Sequence, residues 1–255
     1  MARGMNKVTI IGFVEREPEM RYAAQGDPVT SFAVSTSRHW VTSNGEARDS
    51  TEWFNIVAWR ELAEAAKQRL RRNQRVYAEG HLQTRSWEDA EGLRHFRTEV
   101  VASKLIPLDD REAVAGGNPH GTSEGLPLCL NRVLVIGNLG RDPEMRYTPS
   151  GQAVTSFSLA ATCTRMADHG DRRDSTEWFN VVTWGSLAEI CNQYLSKGRR
   201  VYLEGELRTR GWEQSDGKKH FRTELVANEM IILGPRPTLA GAEYTGNSSE
   251  AEFPF

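Results

Sequence analysis

The chain is short of cysteine, and its three, Cys129, Cys163 and Cys191, are odd in number and widely spaced. No C-x-x-C pair occurs. A disulfide framework and a zinc site are therefore not expected, and a reducing cytoplasm is the expected setting. No apolar run approaches the roughly 18 residues of a membrane span. The opening MARGMNKVTIIG lacks the apolar core and small-residue cleavage site of a signal peptide. No G-x-x-x-x-G-K-[ST] loop is present, which excludes a P-loop ATPase. Strong positive charge is missing too: the net charge is −2.

That charge is unevenly spread. Residues 1–106 carry 16 Lys+Arg against 14 Asp+Glu, and residues 129–236 carry 15 against 13. Residues 107–128 carry one Arg and four acids, and residues 237–255 carry three Glu and no base. Two mildly basic units are separated by an acidic connector and followed by an acidic tail.

The units are copies of each other. D-S-T-E-W-F-N at Asp49–Asn55 returns at Asp174–Asn180, an offset of 125. The same offset relates P-E-M-R-Y at Pro18–Tyr22 to Pro143–Tyr147, and H-F-R-T-E at His95–Glu99 to His220–Glu224. Roughly half the paired positions are identical, without insertion from Asn6/Asn131 to Ile106/Ile231. Two copies of this length are two domains rather than a solenoid. The expected division is domain one at 1–107, a linker at 108–128 containing AGGNPHGTSEGLP, domain two at 129–235, and a disordered tail at 236–255.

Each copy reads as five strands. In the first they are Asn6–Val14, Val29–Ser37, Thr51–Trp59, Arg75–Leu82 and Phe96–Ile106, rich in β-branched and aromatic residues. Between the third and fourth, Leu62, Ala63, Ala66 and Leu70 fall at helical spacing, as do Leu187, Ala188, Cys191 and Leu195. The predicted fold class is all-β: two tandem OB folds, each a five-stranded Greek-key barrel with one short helix. An SH3-like barrel shares the strand count but usually lacks the helix.

Seven tryptophans carry the chemistry. Trp53/178, Trp59/184 and Trp87/212 are paired by the offset, and Trp40 stands alone. Trp53 and Trp59 are six apart and face one side of a strand. Trp87 and Trp212 are placed in charged hairpins just past the fourth strand. Core packing is the ordinary fate of an indole. Here Val8, Ile10, Val34, Ile56 and Val76 already supply an aliphatic core. Exposed indoles are platforms for bases, whatever their sequence. Phosphates require cations beside them. The candidates are Arg21, Arg146, Arg85, Arg208 and Arg210, with Arg71, Arg72, Lys197 and Arg199 behind them. Unpaired nucleic acid fits this face best. RNA and oligosaccharide are alternatives that OB barrels also accommodate. Catalysis is the third: the repeated His95/His220 beside Glu has no nucleophile or oxyanion site around it.

These residues form a recognisable set. Asn131–Tyr147 nearly completes N-[KR]-V-x-[LI]-[IV]-G-N-L-x-x-D-P-E-x-R-Y, and Phe13 and Glu17 depart from it in the first copy. Thr176–Trp178, Leu187–Glu189, Gly198–Leu207 and Arg208–Trp212 add T-E-W, L-A-E, G-x-x-V-Y-[IL]-E-G-x-L and R-T-R-x-W. Each copy thus resembles the DNA-binding domain of bacterial single-stranded DNA-binding protein, in its two-domain, single-chain form. The resemblance implies a non-enzymatic, nucleoid-associated protein without cofactor or metal. It implies base stacking at Trp40, Trp53, Trp59, Trp87, Trp178, Trp184, Trp212 and Tyr194. Arg165 replaces Trp40, and Arg69 replaces Tyr194, across the repeat, so unequal domains are expected. It further implies a homodimer with four OB domains. The tip Glu250, Glu252, Phe253, Pro254 and Phe255 resembles the family's acidic docking end, which implies replication and repair proteins as partners.

Overall fold

A computed structural model describes residues 4–42, 45–88, 92, 94–108, 129–166, 172–213 and 219–234. The first copy runs β1 Met5–Val14, β2 Glu19–Tyr22, β3 Pro28–Val41, β4 Ala47–Trp59, α1 Arg60–Arg69, β5 Arg75–Glu88 and β6 Arg94–Leu108. The second repeats it: β7 Leu130–Leu139, β8 Glu144–Tyr147, β9 Ala153–Met166, β10 Arg172–Trp184, α2 Gly185–Tyr194, β11 Arg200–Glu213 and β12 Lys219–Leu233.

Five strands close each barrel. β1 pairs β5 from Val8↔Gly80 to Phe13↔Arg75, then turns to meet β3 at Phe13↔Ser35. β3 pairs β4, β4 runs parallel to β6 at Ile56↔Val100, and β6 returns to β5. The helix lies between the third and fourth barrel strands, as expected of an OB fold. The sixth strand, β2, is a difference from the five-strand reading. Its four residues pair with the edge of β3 from Glu19↔Ser31 to Tyr22↔Pro28, outside the closed ring. Glu-Met-Arg-Tyr carries no buried alternation, so periodicity did not mark it.

Alternation builds the core. Val8, Ile10, Val34, Ile56 and Val76 are all 0% exposed, as the aliphatic reading requires. Phe32 and Phe157, counterparts in the repeat, are each 1% exposed. Burying each phenyl ring contributes about 1.5–3 kcal/mol. The helices lay Ala63 and Ala66, or Ala188 and Cys191, onto the barrel. Two buried hydroxyls tie them down: Thr30 donates to the Ala63 carbonyl at 2.8 Å and Thr155 to that of Ala188 at 2.7 Å. Cys191 is a small core residue, its thiol pKa pushed up by burial.

The domains join edge to edge. β1 pairs antiparallel with β7 from Met5↔Ile136 to Ile11↔Leu130, making one sheet of twelve strands. The register centres on Val8↔Val133, which are themselves counterparts at the offset of 125. The two copies therefore meet about a local two-fold axis, as two subunits of a symmetric dimer would. Reciprocal bonds flank the axis. The Thr84 N–H donates to Glu177 Oε1 at 2.8 Å, and the Thr209 N–H donates to Glu52 Oε2 at 2.9 Å.

Candidate nucleic-acid interface

The strands that build the barrels do not stop at them. β3 and β4 remain paired out to Val41↔Ala47, and β5 and β6 out to Glu88↔Arg94. Continued pairing turns the ends into projecting arms, and Trp40 and Trp87 sit on these arms. Trp87 therefore lies within β5 rather than in a loop beyond it, which corrects the sequence expectation. It is nonetheless 49% exposed, because the arm has left the core behind. Trp212 occupies the matching position in β11. Its side chain lies outside the described residues, as do those of Arg165, His95 and His220.

The remaining indoles are accessible. Trp53 is 59% exposed, Trp178 57% and Trp184 41%. Trp40 and Trp59 are half-buried. On β4 the core takes Phe54, Ile56 and Ala58, so Trp53 and Trp59 share the outward face, as their spacing predicts. Tyr194, in the last turn of α2, is 56% exposed.

Guanidinium groups stand beside these rings. Arg85 Cζ lies 5.8 Å from the centre of the Trp59 ring, and Arg38 Cζ lies 5.5 Å from that of Trp40. Each is within reach of a cation–π contact. Arg38 was not singled out by the sequence. The signal available for it was its position two residues before Trp40, which puts both on one side of β3. Arg38 also pairs with Glu206 of the second domain at 2.8 Å.

The expected cations divide into two groups. Arg21 and Arg146 extend into solvent, each within reach of the Glu two residues earlier, at 3.2 and 3.4 Å. Arg85 pairs with Glu99 at 3.3 Å, the Arg208 Nε donates to Glu206 at 3.0 Å, and Arg210 is exposed. The Arg21 and Arg146 pairs are exposed on both sides and weak, on the order of 0–1 kcal/mol, so a phosphate can displace the carboxylate there. Glu99 and Glu206 are largely buried, and only the guanidinium of each of those pairs is open to solvent. Arg71 has a structural use instead. Its guanidinium donates to the carbonyls of Lys67 and Leu70, closing the end of α1.

Two glutamates beside the rings, which the sequence reading does not single out, tie the domains together. Glu52 and Glu177 immediately precede Trp53 and Trp178, and reach the neighbouring domain through the reciprocal bonds above. Burial raises the Glu52 pKa, against the pull of the Thr209 N–H and of Arg208. Trp178 also rests directly on Gly140. A Cβ there would lie 2.3 Å from its Cζ3, so only glycine lets the indole lie that close. Glu15 holds the matching position in the first domain.

Tandem OB barrels bearing open aromatic rings and arginines define a nucleic-acid-binding class. Among the described residues no helix is long and apolar enough to cross a membrane, and no group of metal-ligating side chains is found. The model of the single-strand binding protein family matches residues 5–108 and again 130–233. The chain belongs to the single-strand binding protein family. It is 33% identical to the single-stranded DNA-binding protein of Thermus thermophilus over 98% of this chain and 90% of that one. The Deinococcus radiodurans protein of the same name is 32% identical over 98% and 83%. The crystal structure of wild-type single-stranded DNA-binding protein from Thermus aquaticus superposes with a TM-score of 0.70 at 27% identity, over 94% of this chain and 98% of that one. The family consists of DNA-binding proteins, not enzymes, and the Glu–His acid–base alternative falls with that membership.

Proposed function

We propose that this protein binds and shelters single-stranded DNA without reading its sequence, by stacking bases on Trp40, Trp53, Trp59, Trp87, Trp178, Trp184, Trp212 and Tyr194. Arg21, Arg146, Arg85, Arg208 and Arg210 pair the phosphates. The observation that carries the reading is the exposure of Trp53 and Trp178, counterparts at 59% and 57%, on barrels whose cores are already filled. An indole face presented to solvent offers about 1–3 kcal/mol to any base that stacks on it. The relatives named for single-stranded DNA binding cover nearly the whole chain, which supports the same ligand.

The strand would run over both domains, be held apart from its complement, and serve replication, recombination and repair. The domains are taken as 1–107 and 129–235, with the linker 108–128 and the tail 236–255 lying almost wholly outside the described residues. The tip Glu250, Glu252, Phe253, Pro254 and Phe255 lies there too. Its acidic, aromatic chemistry suits a basic-rimmed apolar pocket on replication and repair proteins. A second copy completes four OB domains. Supporting that, Ile106 and Ile231 are 39% and 49% exposed, and pair in register with Tyr77 and Tyr202 on the sheet shared by both domains.

The test is competition among oligodeoxythymidine, its ribo counterpart, duplex DNA and an oligosaccharide at fixed salt. The deoxy single strand should win, with affinity falling steeply as salt rises. Preference for RNA or sugar would overturn the choice of ligand. Solution mass tests the homodimer independently.

A further inference from the structure

The projecting arms bring core-facing positions into the open. On β5 the inward face runs through Val76, Ala78 and Leu82, which is 2% exposed. Thr84 and Ser86 continue that face beyond the barrel and line an open cleft of about 580 Å³ at the seam between the domains. Its size lies in the range of ligand clefts, roughly 300–1,000 Å³.

Three exposed rings wall this cleft: Trp178, Phe96 at 65% and Phe221 at 70%. Phe96 and Phe221 are counterparts in the repeat, one from each domain. On β6 Phe96 shares parity with the buried Val100, yet it lies past the end of the barrel and packs into no core. Two lining residues ionise. Glu177 accepts from the Thr84 N–H, and Arg222 donates to Asn180 Oδ1, so each is hydrogen-bonded to a neutral protein group. The remaining polar groups are mainly hydroxyls, including Thr98 and Thr176. Flat aromatic walls, neutral hydroxyls and a lining carboxylate that repels anions suit an uncharged planar ring better than a phosphate.

We propose that this cleft takes an unstacked nucleobase of single-stranded DNA where the strand crosses from one domain to the other, with Phe96 and Phe221 as its walls. The inference rests on the single-stranded-DNA reading above. Continuity supports it, because Trp178 belongs both to the outward indole face and to the cleft.

The test uses the full chain carrying Phe96→Ala and Phe221→Ala together. Oligo(dT) of about 8 nucleotides, which one OB fold accommodates, is compared with one of about 35, which needs both domains. Loss of stacking at the seam should weaken the long oligomer roughly tenfold or more, and the short one less. Phe96→Tyr with Phe221→Tyr, which keeps both rings, should restore the long-oligomer affinity. Unchanged long-oligomer binding by the alanine variant would overturn the proposal while leaving the DNA reading intact. A changed subunit mass in that variant would overturn it too, by assigning the rings to a protein contact. Failure of the wild type to bind either oligomer would remove the underlying reading instead.

Discussion

The two domains share a scaffold and differ in how they dress it. In the first, Arg38 and Arg85 stand over Trp40 and Trp59, and both indoles are half-buried. In the second, Cys163 and Arg165 replace Arg38 and Trp40, Trp184 is 41% exposed, and Tyr194 adds a ring on the helix. The backbone differs as well. Gly185 opens α2 at φ 58, where glycine is at ease, whereas Arg60 opens α1 at φ 55. A non-glycine residue there stores strain of about 1–2 kcal/mol. Duplication kept the barrel geometry and let the surface, and even one strained joint, diverge. The lesson is that the closed ring of strands constrains its core far more tightly than its arms.

If the scaffolds are equivalent, the largest effects should be equal. Phe32→Ala and Phe157→Ala should each destabilise their own barrel by about 3–5 kcal/mol, read by denaturant unfolding. A large inequality would break the claim of a common core. Next come the platforms. Trp53→Ala and Trp178→Ala should each weaken oligo(dT) binding by about 1–3 kcal/mol without unfolding the chain. The domains should part company at the unpaired position: Trp40→Ala weakens binding, while Arg165→Trp adds a ring to the second domain and should strengthen it by about 1 kcal/mol, by titration at fixed salt.

Smaller effects sharpen the comparison. Arg60→Gly should stabilise the first domain by about 0.5–1 kcal/mol, since relief of strain outweighs glycine's entropy and a long Asp27 contact of 3.5 Å. Gly185→Ala should destabilise the second. Melting temperatures of the two variants decide both. The smallest effect concerns Glu52, whose folded pKa lies above its unfolded value because of burial. Its ionised form therefore opposes folding at neutral pH; that opposition fades as pH falls through the raised folded pKa and is gone below the unfolded one. Glu52→Gln should be slightly more stable than wild type near neutrality, and the gap should close on acidification. A gap that widened instead would reverse the sign.

The barrels were legible because burial imposes alternation. Val8, Ile10, Val34, Ile56 and Val76 announced the core, and Ala63 and Ala66 announced the helix. The short β2 was not legible, because an edge strand with exposed Glu, Arg and Tyr carries no period-two signal. Nor were the arms. Arg85, Glu88 and Asp89 around Trp87 look like turn chemistry and point to a loop, while the ladder itself continues to Glu88. Glu52 and Glu177 were hidden for another reason: their partners lie across the domain seam, and no spacing within one copy reveals a contact made with the other. Phe96 and Phe221 were visible as a repeated pair, but their parity points to a core that ends before reaching them.

The central claim is that the paired indoles Trp53 and Trp178 meet bases directly. Intrinsic tryptophan fluorescence, followed while oligo(dT) is added to wild type and to the Trp53→Ala, Trp178→Ala double variant, tests it most simply. Strong quenching in the wild type, much reduced in the variant at saturating DNA, is the expected result. Tight binding that leaves the wild-type emission untouched would contradict it.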